Sequence, residues 1–78
     1  MNTITAIRNR ILQLCEERNL TINKLATISA ISPSSLKSIL YGNNPKILTL
    51  KMLCDGLDIT LAEFFDTPEF NTLEQEIK

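Results

Sequence analysis

Residues 32–41 hold a closely spaced group of polar side chains, four serines around Lys37. A serine becomes a nucleophile only beside a general base, and the chain contains no histidine. Hydroxyl and ammonium groups on one helical face can instead form hydrogen bonds with the edges of DNA bases or with phosphates. The segment therefore indicates a binding surface, with an ordinary polar helix exterior as the alternative.

Other residue types give no catalytic or metal-binding pattern. Glu63, Asp66 and Glu69 are better explained by helix caps and a solvated acidic face than by acid–base catalysis. Cys15 and Cys54 lack the neighbouring cysteines or histidines of a metal site, so each is expected to be a buried thiol in a reducing compartment. Two glycines do not make a phosphate-binding loop. We therefore expect no enzyme activity, metal, cofactor or small-molecule ligand.

Length and composition predict one small globular domain. The chain has 78 residues and is 44% apolar, which is typical of a folded rather than a disordered sequence. It contains no run of 18 apolar residues and no secretory leader. We therefore expect a cytoplasmic protein that makes no membrane contact.

Charge is distributed unevenly along the chain. The net charge of −1 alone argues against a nucleic-acid partner. However, residues 1–54 contain seven basic and two acidic residues, a net charge of +5, whereas residues 55–78 contain seven acidic residues and one basic residue, a net charge of −6. Such asymmetry suggests one part that faces a polyanion and one that faces away. The alternative is chance segregation on a solvated surface.

Two short helices joined by a tight turn are predicted for residues 22–29 and 33–41. Ser32 is a good N-cap, the proline after it suits a first helical turn, and Gly42 is a typical left-handed end. Two helices joined in this way form a helix-turn-helix motif. Their inner faces and the turn are expected to supply the apolar residues Leu25, Ala26, Ile31, Leu36, Ile39 and Leu40.

Apolar residues at steps of three and four predict two further helices, over residues 3–18 and 47–57. Gly56 is expected to fray or end the later helix. Leu48 and Met52 fall on its outer side, with no obvious place in a core. The inner stripe of the earlier helix comprises Ile4, Ile7, Ile11, Leu14 and Cys15. That of the later helix comprises Ile47, Leu50, Leu53, Cys54 and Leu57.

The last third of the chain predicts one short helix and a tail. Thr60 and Glu63 have the spacing of a capping box for a helix that ends at Phe65. Thr67, followed by proline, is a further start signal for a marginal sixth helix. The tail places apolar residues at helical spacing, namely Phe70, Leu73 and Ile77.

The order of helices resembles the lambda-repressor-like family of helix-turn-helix DNA-binding domains (Cro- and repressor-type, also called XRE-type). The resemblance covers about residues 4–66 and predicts an all-α, five-helix domain over residues 1–66. Residues 67–78 would then be a tail that can be helical and dimerising. The residues that carry the resemblance are Leu20, Thr21, Leu25, Ala26, Ile31, Ser32, Ser35, Leu36, Ile39, Gly42, Pro45, Thr49, Leu50, Leu57, Ile59 and Leu61 to Phe65.

The resemblance implies that the third helix lies in the major groove of DNA, while the starts of the second and fourth helices and the intervening loop hold phosphates. Base contacts would come from Ser32, Pro33, Ser34, Lys37 and Ser38. Phosphate contacts would come from Thr21, Asn23, Lys24, Tyr41, Asn43, Asn44 and Lys46. Arg8, Arg10 and Arg18 are expected to add long-range attraction to DNA or simply to be solvated.

Four positions depart from the family pattern. Ile22 stands where a glutamine often contacts phosphate, and Ala30 stands where the turn usually has glycine. Alanine is acceptable there if its backbone is near-normal or only slightly strained. Cys15 and Leu40 replace an arginine–glutamate pair, and loss of both charges together can be neutral or stabilising.

The expected function is sequence-specific binding of double-stranded DNA by a small bacterial or phage transcription regulator, a repressor. One domain makes few phosphate contacts, so a homodimer on two half-sites is expected. The alternative is a protein-interaction module on the same fold. Candidate dimer residues are Leu48, Met52, Phe70, Leu73 and Ile77, and packing within the chain is the alternative for the tail.

Overall fold

The computed structural model describes residues 1–77, and this part of the chain forms six helices. They are α1 (Thr3–Glu17), α2 (Ile22–Ile28), α3 (Pro33–Leu40), α4 (Ile47–Leu57), α5 (Leu61–Phe65) and α6 (Pro68–Asn71). No strand occurs among the described residues, so the all-α prediction is confirmed. None of these helices is long and apolar enough to cross a membrane.

Local sequence explains where most of the helices begin. At α1, α2 and α3, the cap residues Asn2, Thr21 and Ser32 each accept a hydrogen bond from the backbone N–H three residues later. The predicted capping box at α5 is present, because Thr60 Oγ1 accepts from Glu63 N–H at 3.0 Å and Glu63 Oε1 accepts from Thr60 N–H at 2.9 Å. Each bond satisfies a backbone donor that the first helical turn leaves free.

The turn between α2 and α3 is a Schellman motif. Ile31 N–H donates to the Ala26 carbonyl at 3.1 Å, and Ala30 N–H donates to the Thr27 carbonyl at 3.2 Å. Ala30 has a φ of 57°, in the left-handed region rather than near-normal. A side chain in that region costs about 1 kcal/mol. Alanine in place of glycine therefore makes this turn a strained one.

The core lies between α1, α2, α3, α4 and α5. The predicted inner position of Ile47 is wrong, because its side chain is 62% exposed. Ile47 is the first residue of α4, and the buried stripe begins one turn later at Leu50. Leu48 is exposed and Met52 is half-buried. The largest fully buried side chains are Phe64, Ile11, Leu25, Leu36, Leu53 and Cys54.

Helix α4 ends at Leu57, one residue after Gly56 and at the predicted bound. A Cβ atom at Gly56 would collide with Ser29 Oγ and would lie 3.1 Å from the Ile28 carbonyl oxygen. The absence of a side chain therefore lets α4 approach the end of α2. What looks like a weak point in the sequence is a point of close packing in the fold.

The tail forms a shorter helix than its apolar spacing predicts. Helix α6 ends at Asn71 and does not extend to Ile77, which is 89% exposed. The Phe70 ring packs edge-on against Phe65, with ring centroids 5.0 Å apart, and Leu73 is half-buried. A single helical turn is stable only where such packing supports it. Beyond α6 the chain turns back along the start of α1.

Candidate nucleic-acid interface

Helices α2 and α3 lie against each other and present their apolar faces to the core. The inner residues Leu25, Ala26, Leu36 and Ile39 are buried as predicted. Ile31 and Leu40 are half-buried and pack against the same core. Because this face is inside, the opposite face of α3 presents to solvent Pro33, Ser34, Lys37 and Tyr41.

The Ser32 hydroxyl belongs to a small serine cluster at the start of α3. It accepts from the Ser35 N–H at 3.1 Å, and its oxygen lies 2.8 Å from Ser35 Oγ and 3.2 Å from Ser34 Oγ. Capping is therefore the role that the structure gives Ser32. A contact between Ser32 and a base, as the sequence predicts, would share this oxygen with the helix cap.

Ser38 links α3 to the loop that follows it. The Asn43 side-chain amide donates to Ser38 Oγ at 2.8 Å, and Ser38 is half-buried rather than fully outward. The loop and α3 together border an open cavity of about 470 Å³. It brings predicted base and phosphate contacts together, since its lining includes Ser34, Ser38, Asn43, Asn44 and Lys46.

The start of α4 adjoins this cavity and differs from the starts of α1, α2, α3 and α5. Its cap residue is Lys46, and no described side chain caps the helix by a hydrogen bond. Free N–H groups and the positive end of the helix dipole favour an anion. The Lys46 side chain is exposed and adds a positive charge at the same place.

Arg8 is not simply solvated, because its Nε donates to the Leu40 carbonyl at 3.0 Å. This bond joins α1 to the carboxyl end of α3. Arg8 also borders a second cavity, of about 280 Å³, together with Ile22, Lys37, Leu40 and Tyr41. The cationic side chains of Arg8 and Lys37 and the exposed side chain of Tyr41 thus lie around the apolar side chains of Ile22 and Leu40. The residues next to Ile22 at the start of α2 are exposed, namely Thr21, Asn23 and Lys24.

Arg10 has a structural position and is not simply solvated. Its Nε donates to the Phe64 carbonyl at 2.6 Å and its Nη2 to the Glu63 carbonyl at 2.9 Å. The side chain is half-buried and holds the end of α5. Arg18 is exposed and lies 4.0 Å from the Glu17 carboxylate.

A family model for the Cro/C1-type HTH DNA-binding domain matches residues 10–69, which include all of α2, α3, α4 and α5. The chain belongs to the Cro/C1-type helix-turn-helix DNA-binding family. The fold and family expected from the sequence are thereby confirmed, and the helix-turn-helix motif is formed by α2 and α3.

Two solved structures resemble this Cro/C1-type domain. The crystal structure of the prophage Lp1 protein 11 is 30% identical, with a TM-score of 0.82 over 94% of this chain and 100% of that chain. An HTH_3 family transcriptional regulator from Vibrio cholerae is 28% identical, with a TM-score of 0.73 over 80% of this chain and 35% of that chain. No curated protein matches the sequence. The neighbours support a DNA-binding regulator.

The arginine–glutamate pair expected in this family is replaced by an apolar contact region. Cys15 is buried, and Leu40 packs against the same core. Burial raises the pKa of the Cys15 thiol, so the side chain is neutral at pH 7. The bond between Arg8 and the Leu40 carbonyl supplies a different link between α1 and α3.

The Cro/C1-type motif lies in a stretch without acidic residues. From residue 18 to residue 54 the sequence contains five basic residues and no aspartate or glutamate. This stretch includes α2, α3, the following loop and most of α4. The acid-free stretch is a sequence signal that counting charges over the whole chain conceals.

The predicted dimer residues are not all equally available. Leu48 and Ile77 are exposed, whereas Met52 and Leu73 are half-buried. Phe70 packs against Phe65 of its own chain, and its ring lies 6.3 Å from that of Phe64. The packing of Phe70 corresponds to the within-chain alternative for the tail.

Proposed function

We propose that this domain binds a specific double-stranded DNA site as a transcriptional repressor, with α3 in the major groove. The observation that carries the proposal is the adjacency of three features around one open cavity. They are the outer face of α3, the loop from Asn43 to Lys46, and the start of α4 without a side-chain cap. No acidic residue lies in the stretch that forms them.

The exposed face of α3 divides naturally into base and backbone contacts. Lys37 is long enough to reach guanine O6 and N7, and Pro33 can contact a thymine methyl group. Ser34 offers a hydroxyl at short range, directly or through water. Asn44, Lys46 and the start of α4 suit phosphates, which fix the position of the protein without reading sequence. Arg8 and Tyr41 are additional candidates for backbone contact at the carboxyl end of α3.

A homodimer on two half-sites accounts for useful affinity. A single copy offers few cationic side chains, and in this class of protein two copies read half-sites about one helical turn apart. Leu48 is 66% exposed and Met52 follows one helical turn later on α4, so this pair is the first candidate surface. Ile77, on the tail, is the second.

The test is fluorescence anisotropy with a labelled duplex from the promoter of the protein's own gene, at two salt concentrations. DNA binding predicts that log K falls by about 0.9 per phosphate neutralised for each unit of log salt. Lys37→Ala and Ser34→Ala should weaken binding to the promoter more than to a random duplex, by about tenfold for Lys37→Ala. Lys51→Ala is the matched control, because Lys51 is exposed and hydrogen-bonded to Asp55 on its own helix.

Unchanged affinity and sequence preference in both α3 variants would contradict the placement of α3 in the groove. Absence of any salt-dependent binding to duplex DNA would contradict the function itself and favour the protein-interaction alternative. For the dimer, sedimentation of Leu48→Glu and Ile77→Glu variants distinguishes the two surfaces, since only the variant at the interface should sediment as a monomer.

A further inference from the structure

The segment after α6, residues 72–77, is bound to the first turn of α1, and we call it the strap. Glu74 N–H donates to the Met1 carbonyl at 3.2 Å. Glu76 Oε2 accepts from the Thr3 N–H at 3.2 Å and from Thr3 Oγ1 at 2.8 Å. A carboxylate at the start of a helix is favourable because it faces the positive end of the helix dipole. The strap is therefore held by specific polar bonds.

The strap brings Glu76 close to the proposed DNA-facing loop. Glu76 borders an open cavity of about 370 Å³ together with Thr3, Ile4, Ile7 and Asn44. Asn44 also borders the cavity of about 470 Å³ between α3 and the following loop, and Lys46 is part of the lining of that cavity. Asn44, which is itself proposed to hold phosphate, thus lines the same cavity as a carboxylate of the strap.

The negative charge of Glu76 predicts the sign of its effect on DNA binding. A phosphate near Asn44 and Lys46 is attracted by the lysine and repelled by a carboxylate on the other side of the loop. The repulsion acts at low salt and is screened as salt rises, because the Debye length is about 10 Å at 0.1 M. The contacts that hold the strap on α1 keep the carboxylate at the cavity that Asn44 also lines.

We propose that the strap is an autoinhibitory element that lowers the affinity of the domain for DNA through the carboxylate of Glu76. The inference rests on the proposed function, since it requires DNA phosphates at the loop. It also gives the acidic part of the chain a role in DNA binding, in place of a surface that only faces away from DNA.

Glu76→Gln tests the proposal with little disturbance of the strap. The amide oxygen can still accept from Thr3, so the charge is removed while a hydrogen bond remains. The matched control is Glu69→Gln, which makes the same change in net charge on α6, where Glu69 borders a different cavity between α1 and α6. Both variants keep all 78 residues and are titrated against the same labelled promoter duplex.

At about 50 mM salt, Glu76→Gln should bind DNA about twofold more tightly than the wild type, and the gain should disappear near 300 mM salt. Glu69→Gln should differ less from the wild type. A second variant, Thr3→Ala, removes the 2.8 Å anchor of Glu76 and should also tighten binding by loosening the strap.

Equal gains in Glu76→Gln and Glu69→Gln would show a general charge effect and would overturn the strap proposal, as would an unchanged affinity in Glu76→Gln. In both cases wild-type binding to DNA would leave the proposed function intact. If neither the wild type nor Glu76→Gln binds the duplex at low salt, the proposed function fails and the strap proposal fails with it.

Discussion

The segments α2–α3 and α4–α5 have the same construction, but their outer surfaces differ in charge. Each has a helix, a left-handed residue (Ala30 or Asp58), a half-buried isoleucine and a polar N-cap that starts a short second helix. In each, an arginine of α1 donates to a backbone carbonyl at the end of that second helix, Arg8 to Leu40 and Arg10 to Phe64.

The difference lies in what surrounds the second helix. Around α3 the sequence has no acidic residue, and its outer face carries Ser34, Lys37 and Tyr41. Helix α5 has Glu63 in its first turn and is followed by Asp66. The side chain of Phe64 is buried, and its ring packs against that of Phe65. The shared construction fixes a short helix against α1. The outer side chains decide whether that helix suits DNA or completes the core.

Substitutions of Arg8 and Arg10 test this comparison most directly. Arg10→Ala should have the largest effect on stability. It removes hydrogen bonds to the Phe64 and Glu63 carbonyls, so we expect the free energy of unfolding to fall by about 2–3 kcal/mol. Urea denaturation measures this loss. DNA affinity at a temperature where the variant is folded should be unchanged.

Arg18→Ala is the control for Arg10→Ala, since it removes the same charge from an exposed site. Its effect on stability should stay within about 0.5 kcal/mol. If the two variants lose equal stability, Arg10 is not the residue that holds α5. If Arg10→Ala weakens DNA binding as strongly as it lowers stability, the separation between the two regions is wrong.

Arg8→Ala should show the reverse balance. We expect DNA binding about tenfold weaker, with the slope of log K against log salt smaller by about 0.9, because one backbone contact is lost. The loss of stability should be only about 1 kcal/mol, since Arg8 makes one bond to the end of α3. Anisotropy titrations over a salt series, with urea denaturation in parallel, measure both quantities. An unchanged salt slope would show that Arg8 acts only as a structural link.

Much of this construction could be predicted from the sequence because its signals are local. The caps at Thr21, Ser32 and Thr60 act on backbone groups three residues away, and the structure contains all three. The roles of Arg8 and Arg10 could not be predicted in this way, because their partners lie 32 and 54 residues away in the chain.

The error at Ile47 and the unpredicted close packing at Gly56 have a similar origin in tertiary packing. Helical spacing placed Ile47 on the inner stripe, but the helix starts before it reaches the core, so the side chain is exposed. Glycine is a poor helix residue in isolation, yet Gly56 is where α4 passes close to Ser29. Periodicity indicates which face is apolar, whereas packing decides where that face begins and which small residues it needs.

The left-handed turns at Ala30 and Asp58 allow the prediction with the smallest expected effect. Ala30 and Asp58 both have a φ of 57°, but aspartate tolerates this region better than alanine does, because its short polar side chain can bond locally. Ala30→Gly should therefore raise the free energy of unfolding by about 0.5–1 kcal/mol. Asp58→Gly should change it less. Thermal denaturation measures both, and the larger gain must fall at Ala30 if the turn before α3 is the strained one.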